Sequence, residues 1–437
     1  MNNKRSLALP KSMAAIMCWC ILFTSASWAN SPTKENQSVD LSWVLQQTLL
    51  KNPTLQAFDF DMRVLEARAI QAAIRPNPEL SASIENVLGT GEVSAFRRAE
   101  TNVVLSQLIE LGDKRQRRID VVSSNQAQRQ TQYEVERLNV FSQATSAYYQ
   151  VLRWQALLDW SAQRIKIEAR ALAAIKKRAS AGNVMASDVS KMALHLARTK
   201  AAHQQYLGQT KLAKYRLSSL WAQESTFSAA QGKFTQAQHY PSLERVLKAV
   251  DNAPQYLNLL SEERVLEAKQ RLAQANGQYD INLGVGIRRF EDIDDSALMV
   301  EFSMPIPLNN PNRGNVLAAN VAQEKAKQLT VLMRQQLRLS LIQAHQAMRN
   351  NIAQATLAKG ELIPLAQKLL SDTQAAYRIG KSSVLELLSA QDELFGLQRQ
   401  VIEKNIAAMT QLLELERITG VPLGKSEHSG VTSLENK

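Results

Sequence analysis

The sequence has 437 residues, of which 45% are hydrophobic and 21% charged, and it carries a formal charge of +12. Basic residues are spread along the chain rather than gathered into one patch, which argues against nucleic-acid binding. Beyond residue 29 no run reaches the roughly eighteen apolar residues of a membrane helix, which excludes a helical span there but not the alternating signal of barrel strands.

Residues 1–29 read as a secretory signal peptide. Lys4, Arg5 and Lys11 give a basic start, and the apolar stretch from Met13 to Phe23 is too short to cross a bilayer. Ser27 and Ala29 place small side chains before a cut at Asn30. This leader holds three of the positive charges and no acid, leaving +9. Both cysteines, Cys18 and Cys20, fall inside it, without the context of a lipid-attachment site. The mature chain can therefore form no disulfide, although it enters an oxidising compartment.

An internal repeat divides the rest. Pro53 pairs with Pro254, and Leu65-Glu66-Ala67 with Leu266-Glu267-Ala268 at the same offset. Ser106 aligns with Ser303, Ile109 with Ile306, Gly182 with Gly380, and Asp188 with Glu386 at slightly smaller offsets. The period is too long for a solenoid unit and reads as a duplicated half-protein. The halves span 30–222 and 242–422, with a polar, irregular link at 223–241 and a disordered tail at 423–437.

In the first half, Leu41 to Leu50 and Thr54 to Ile74 predict helices, stopped by Pro76 and Pro78. Leu80, Ala82 and Ile84 then alternate with Ser81, Ser83 and Glu85, which predicts a strand. A second strand runs from about Thr101 to Ile109. From Asp113 to Arg178 there is no proline or glycine, and the spacing of Phe141, Ala144, Tyr148, Val151 and Leu152 is helical. Such a helix would extend ~100 Å. Gly182 ends it, and another helix follows from about Ser187 to Leu220.

The second half repeats the plan. Ile281, Leu283, Val285 and Ile287 alternate with polar or glycine positions, as do Leu298, Val300 and Phe302 after a polar loop. A long helix from about Arg313 to Arg378 contains Gly360 and Pro364, which predict a kink. Gly380 turns the chain into a last helix that reaches about Ile418.

Four strands leave two open edges, which a membrane does not tolerate. Eight strands is the usual minimum for a closed membrane barrel, so the strands must be shared between chains. The long helices make the same demand. Stretches such as Gln126 to Gln132 are polar on most sides, as suits the wall of a water-filled tube rather than a solid core.

Three stretches resemble the TolC-like outer-membrane efflux family, over about Leu41 to Pro422. They are Leu105-Ser106-Gln107-Leu108-Ile109-Glu110-Leu111-Gly112-Asp113-Lys114-Arg115, then Arg178-Ala179-Ser180-Ala181-Gly182 with Asp188-Val189, and finally Pro364-Leu365-Ala366 with Tyr377-Arg378-Ile379-Gly380 and Leu387-Leu388-Ser389-Ala390-Gln391. The first is most similar to the CzcC-like branch that serves heavy-metal exporters. The resemblance implies a mainly α fold with a small β part: a homotrimer with a shared twelve-stranded transmembrane β-barrel, four strands per chain, joined to an α-helical barrel. It implies the outer-membrane duct of a tripartite exporter, partnered by a periplasmic adaptor and an inner-membrane pump of the RND type. No catalysis and no cofactor are implied.

The resemblance also implies site residues. The glycine turns at Gly182 and Gly380 would form the periplasmic tips that meet the adaptor, with Asn183, Val184, Lys381, Ser382 and Ser383 beside them. Two acidic rings narrow the closed end in the family, six and nine residues after the second glycine. Those positions are Glu386 and Ser389, so one acid is kept and one is replaced. Three Glu386 carboxylates around one lumen would favour cations and be neutralised together at lower pH. Asp188 and Tyr377 match two positions of a latch between the helix pairs, and Ser382 stands where the family has the latch arginine.

Other chemistry is thin. His195, His203, His239, His345 and His428 form no i, i+3 or i, i+4 pair, and no metal site is expected. Gly284-Val285-Gly286 lacks the third glycine of a nucleotide loop. The acidic run Glu291 to Asp295 reads as a hairpin tip. Two rival readings remain: a duct for drugs or secreted proteins, and a periplasmic adaptor. An adaptor would carry one helical hairpin between compact β domains, whereas this chain has two hairpins and two strand pairs.

Overall fold

The computed structural model describes residues 38–182, 184–222, 227–232, 240–306, 308 and 312–423. The same order of elements occurs twice. The first set is α1 (Leu41–Lys51), α2 (Pro53–Ala73), β1 (Glu79–Glu85), β2 (Glu100–Ile109), α3 (Lys114–Ser180) and α4 (Ala186–Ser218). The second is α5 (Leu243–Lys248), α6 (Pro254–Ala275), β3 (Ile281–Phe290), β4 (Asp295–Ser303), α7 (Arg313–Leu357), α8 (Ile363–Arg378) and α9 (Val384–Thr419). None of the described helices is long and apolar enough to cross a membrane.

Local chemistry sets the element ends. Asp40 caps α1 by accepting from the Trp43 amide, and Asn52 caps α2 by accepting from Thr54 and Leu55. Pro53 and Pro254 occupy first turns, where a missing N–H costs nothing. The expected kink near Gly360 and Pro364 is a π-helical turn over Ala358–Leu362, between α7 and α8. Pro364 has no N–H to offer the preceding turn, and a widened turn absorbs that loss without breaking the rod.

The four strands form one antiparallel sheet in the order β1-β2-β3-β4. The register stacks Leu80, Leu105, Val285 and Val300 across all four strands. Ala82, Val103, Ile287 and Leu298 make the adjacent row on the same face. That face is exposed, with Leu80 at 70%, Val285 at 56% and Leu298 at 80%. The opposite face is polar. There the Arg288 guanidinium donates to Asn102 at 2.8 Å and pairs with Glu100 at 3.1 Å. Asn102 in turn donates to Ser83 and Glu85. Among the described residues, β1 and β4 are unpaired on their outer edges.

Two matching cores hold the hairpins. In the first, Val44 of α1 packs with Ala144, Tyr148, Val151 and Leu217 of α3 and α4. In the second, Val246 of α5 packs with Leu341 and Met348 of α7 and Leu415 of α9. Burying each such aliphatic side chain contributes about 1.5–3 kcal/mol. Of the link expected to be irregular at 223–241, the described residues 227–230 take part in the first core. Phe227 and Ala230 are buried in it, and Ala230 forms a bridge with Val39. Two apolar side chains in a polar stretch suffice to anchor it. The tail differs in the same way, because Leu423 is buried in the second core. The rest of the tail and the leader lie outside the described residues.

The sheet and the rods meet at a polar joint. The Asp280 carboxylate accepts from the Leu111 amide at 3.0 Å and from Lys114 Nζ at 2.7 Å. Arg118 grips both oxygens of Glu110. The Leu105–Arg115 stretch is therefore a mechanical coupling that passes β2 into α3 and ties it to the start of β3.

Candidate functional site

The far ends of the hairpins carry most of the sequence-expected residues. Gly182 and Gly380 both adopt the left-handed conformation, with φ of +76° and +77°. A side chain there strains the backbone by about 1–2 kcal/mol, although space beside each glycine is open. The Gly380 amide donates to Tyr377 O and the Lys381 amide to Ala376 O, which satisfies the last carbonyls of α8. The Gly182 amide donates to Ala179 O in the matching position of the first turn. Asn183 lies outside the described residues. Val184 packs against a small apolar cluster of Ile175, Met192, Val384 and Leu388, which joins the two hairpins near their tips.

Glu386 and Ser389 are exposed on one side of α9, while Val384, Leu387 and Leu388 are buried on the other. Ser383 and Glu386 form a reciprocal capping box, and the Ser382 hydroxyl also donates to Glu386 Oε2 at 2.5 Å. The hydrogen bonds from Ser382 and then the Ser383 amide hold the Glu386 carboxyl below the usual carboxylate range. An acceptor of several hydrogen bonds gives them up on protonation, which favours the charged form within the single chain.

The three latch candidates do not share a hydrogen bond. Asp188 pairs with Lys191 on its own helix at 3.2 Å, and Ser382 is taken by Glu386. The Tyr377 hydroxyl is buried and has no hydrogen-bond partner among the described residues. Burial pushes that hydroxyl's pKa up, Arg178 opposes the rise, and the nearby Asp188 adds to it. The link at this level comes from Arg178. It donates to Tyr377 O at 3.1 Å and lays its guanidinium 4.9 Å from the Tyr377 ring centre.

Further polar ties between hairpins were not legible in the sequence. Arg153 of α3 binds Glu403 of α9 through two bonds of 2.7 Å. Arg164 binds Asp392 at 2.7 Å. Both pairs keep one antiparallel register: eleven residues up α3 correspond to eleven residues down α9. Among the described residues no group of three or more His, Cys, Asp or Glu side chains is arranged to hold a metal ion.

Comparison with known proteins adds a family. The family model for outer membrane efflux proteins matches residues 44–223. The chain is 25% identical over 349 residues to the cobalt-zinc-cadmium resistance protein CzcC of Cupriavidus metallidurans, covering 79% of this chain and 81% of that one. A solved structure of CusC, studied for folding and transmembrane channel formation, superposes with a TM-score of 0.75 at 16% identity, over 94% of this chain and 98% of CusC. The outer membrane protein VceC of Vibrio cholerae gives a TM-score of 0.72 at 17% identity, over 87% of this chain and 96% of VceC. Residues 44–223 are thus similar to the outer membrane efflux family, and the chain shares the fold of these solved structures over nearly all its length.

Proposed function

We propose that the chain is one third of a homotrimeric outer-membrane duct that exports heavy-metal cations. The observation that carries the duct is the sheet. It has one continuous exposed apolar face, one polar face and two open edges. Open edges in lipid cost several kcal/mol for each unpaired group, and pairing β4 of one copy with β1 of the next removes them. Three copies close a twelve-stranded barrel with its apolar face to lipid and Arg288, Glu100 and Asn102 toward the lumen. α3, at 67 residues and about 100 Å, carries the tube across the periplasm.

In this reading the Gly182 and Gly380 tips, with Asn183, Val184, Lys381, Ser382 and Ser383, meet a periplasmic adaptor, which couples the duct to an inner-membrane RND pump. Glu386 and Ser389 line the constriction. Asp188, Tyr377 and Ser382 lie at the level where the hairpins part, and Arg178 supplies the tie. The metal cargo is supported by the similarity to CzcC. A wide duct need not bind its cargo, so the lack of a metal cluster among the described residues does not weigh against it.

The experiment is growth of a strain lacking this one gene. Sensitivity to zinc, cobalt or cadmium, restored by the gene, is the expected result. Sensitivity only to dyes, detergents or antibiotics would keep the duct and replace the cargo with drugs.

A further inference from the structure

Between the tip cluster and the Arg153–Glu403 pair lies a compact charged cluster that no latch candidate includes. Glu168 of α3 is completely buried. Its Oε1 accepts from Arg164 Nε at 2.6 Å and sits 3.1 Å from His195 Nδ1 of α4. The other ring nitrogen, His195 Nε2, lies 3.0 Å from Asp392 Oδ2 of α9. Arg164 Nη2 reaches Asp392 Oδ1 at 2.7 Å. The guanidinium is also covered by the Phe395 ring, 5.1 Å away. Three helices thus meet at one imidazole, two from the first hairpin and one from the second.

The charge balance makes the imidazole decisive. The charged groups touching His195 among the described residues are Glu168 and Arg164 on α3 and Asp392 on α9. With a protonated His195, two carboxylates face two cations, which outweighs the like-charge contact of 3.3 Å between Arg164 Nη2 and His195 Nε2. With a neutral one, they share a single guanidinium, and one of those carboxylates is fully buried. A buried charge stripped of a partner is costly.

We propose that Arg164, Glu168, His195 and Asp392 form a proton-controlled clasp between the two hairpins, closed while His195 is protonated and loosened when it is neutral. Separating α9 from the first hairpin removes Asp392 from His195 but leaves Glu168, which belongs to the same hairpin. His195 therefore holds its proton more tightly in the docked arrangement. The Glu168 carboxylate, 3.1 Å from Nδ1, raises the His195 pKa, burial opposes that, and Asp392 raises it further. The clasp is strongest below the undocked pKa and weakens as pH rises through the docked one. Mild acid does not undo it from the other side. Burial pushes the Glu168 carboxyl up, but the neighbouring His195, the hydrogen bond from Arg164 and nearby Thr199 outweigh this and hold it below the usual range. The consequence for flow rests on the duct reading: the hairpins part, and the tube widens, toward alkaline pH.

Outside residues 1–29 the chain has no cysteine, so paired spin labels can be placed cleanly. Labels at Lys200→Cys and Arg399→Cys in the full-length protein report the α4–α9 distance by pulsed electron resonance, between about pH 6 and about pH 9. A longer-distance population should grow with pH, by at most about tenfold per pH unit for one proton. His195→Gln should remove the pH response. Asp392→Asn, an exposed and mild change, should show the longer distance even at the acid end. Distances unmoved by pH, or moving equally in His195→Gln, would overturn the clasp. Conductance of the same samples in planar bilayers separates the two readings. Labels that move while conductance stays flat would overturn the clasp's control of flow. No conductance at any pH would overturn the duct, with the label distances still judging the clasp.

Discussion

At the first hairpin tip, α4 begins behind Met185, which offers no side-chain cap and is 74% exposed. At the second, α9 begins behind Ser383, whose hydroxyl and the Glu386 carboxylate satisfy the helix start reciprocally. The glycine turns themselves are nearly superimposable in φ and in the hydrogen bond they make. The backbone reversal is thus common to both tips, while the capping chemistry is not. The second tip is stable by its own local bonds. The first depends more on packing of Val184 and Met192 against the other hairpin. The rods differ as well: α3 is unbroken, whereas the matching rod of the second half carries the π turn before Pro364.

Ile175→Ala should break the contrast most strongly. Ile175 is 2% exposed and packs with Val384 and Leu388 of the other hairpin. The cavity should cost about 2–4 kcal/mol and loosen both tips together in hydrogen–deuterium exchange. Loosening confined to α3 would show that the cluster does not join the hairpins. A smaller effect comes from Gly182→Ala and Gly380→Ala. Each should cost about 1–2 kcal/mol, and to a similar extent, because the strain lies in the backbone rather than in contacts. Clearly unequal costs would contradict the shared turn. The smallest effect sharpens the difference. Ser383→Ala should weaken the second tip by about 1 kcal/mol, and Met185→Ser should strengthen the first by about 0.5–1 kcal/mol. Peptide-level exchange at residues 184–192 and 382–390 reads both.

Much of the fold was legible in the sequence. Period-two alternation located three of the four strands, and the absence of glycine and proline from Asp113 to Arg178 located the longest helix to within two residues. Pro364 was legible as a disturbance but not as a π turn, since the sequence does not say how the freed carbonyl is accommodated. Phe227 and Ala230 read as link because their polar neighbours mask two isolated apolar anchors. The candidate site was legible only where one helix end decides it, as at Gly182, Gly380 and Ser383. Arg153, Arg164, Glu168, His195 and Asp392 escape sequence reasoning for a physical reason. Their pairing depends on the register between α3, α4 and α9, and α9 belongs to the other half of the chain. A periodicity within one helix carries no information about that register. The same limit applies to Asp188 and Ser382, whose nearest partners, Lys191 and Glu386, are on their own side of the tip.

We propose that the open sheet edges close between copies into a lipid-facing barrel. That closure is tested most directly by the mass and conductance of the purified protein in lipid nanodiscs and planar bilayers. A particle of three chains that conducts ions is the result this account predicts. A single, non-conducting chain with its β1 and β4 edges still exchanging freely would contradict it.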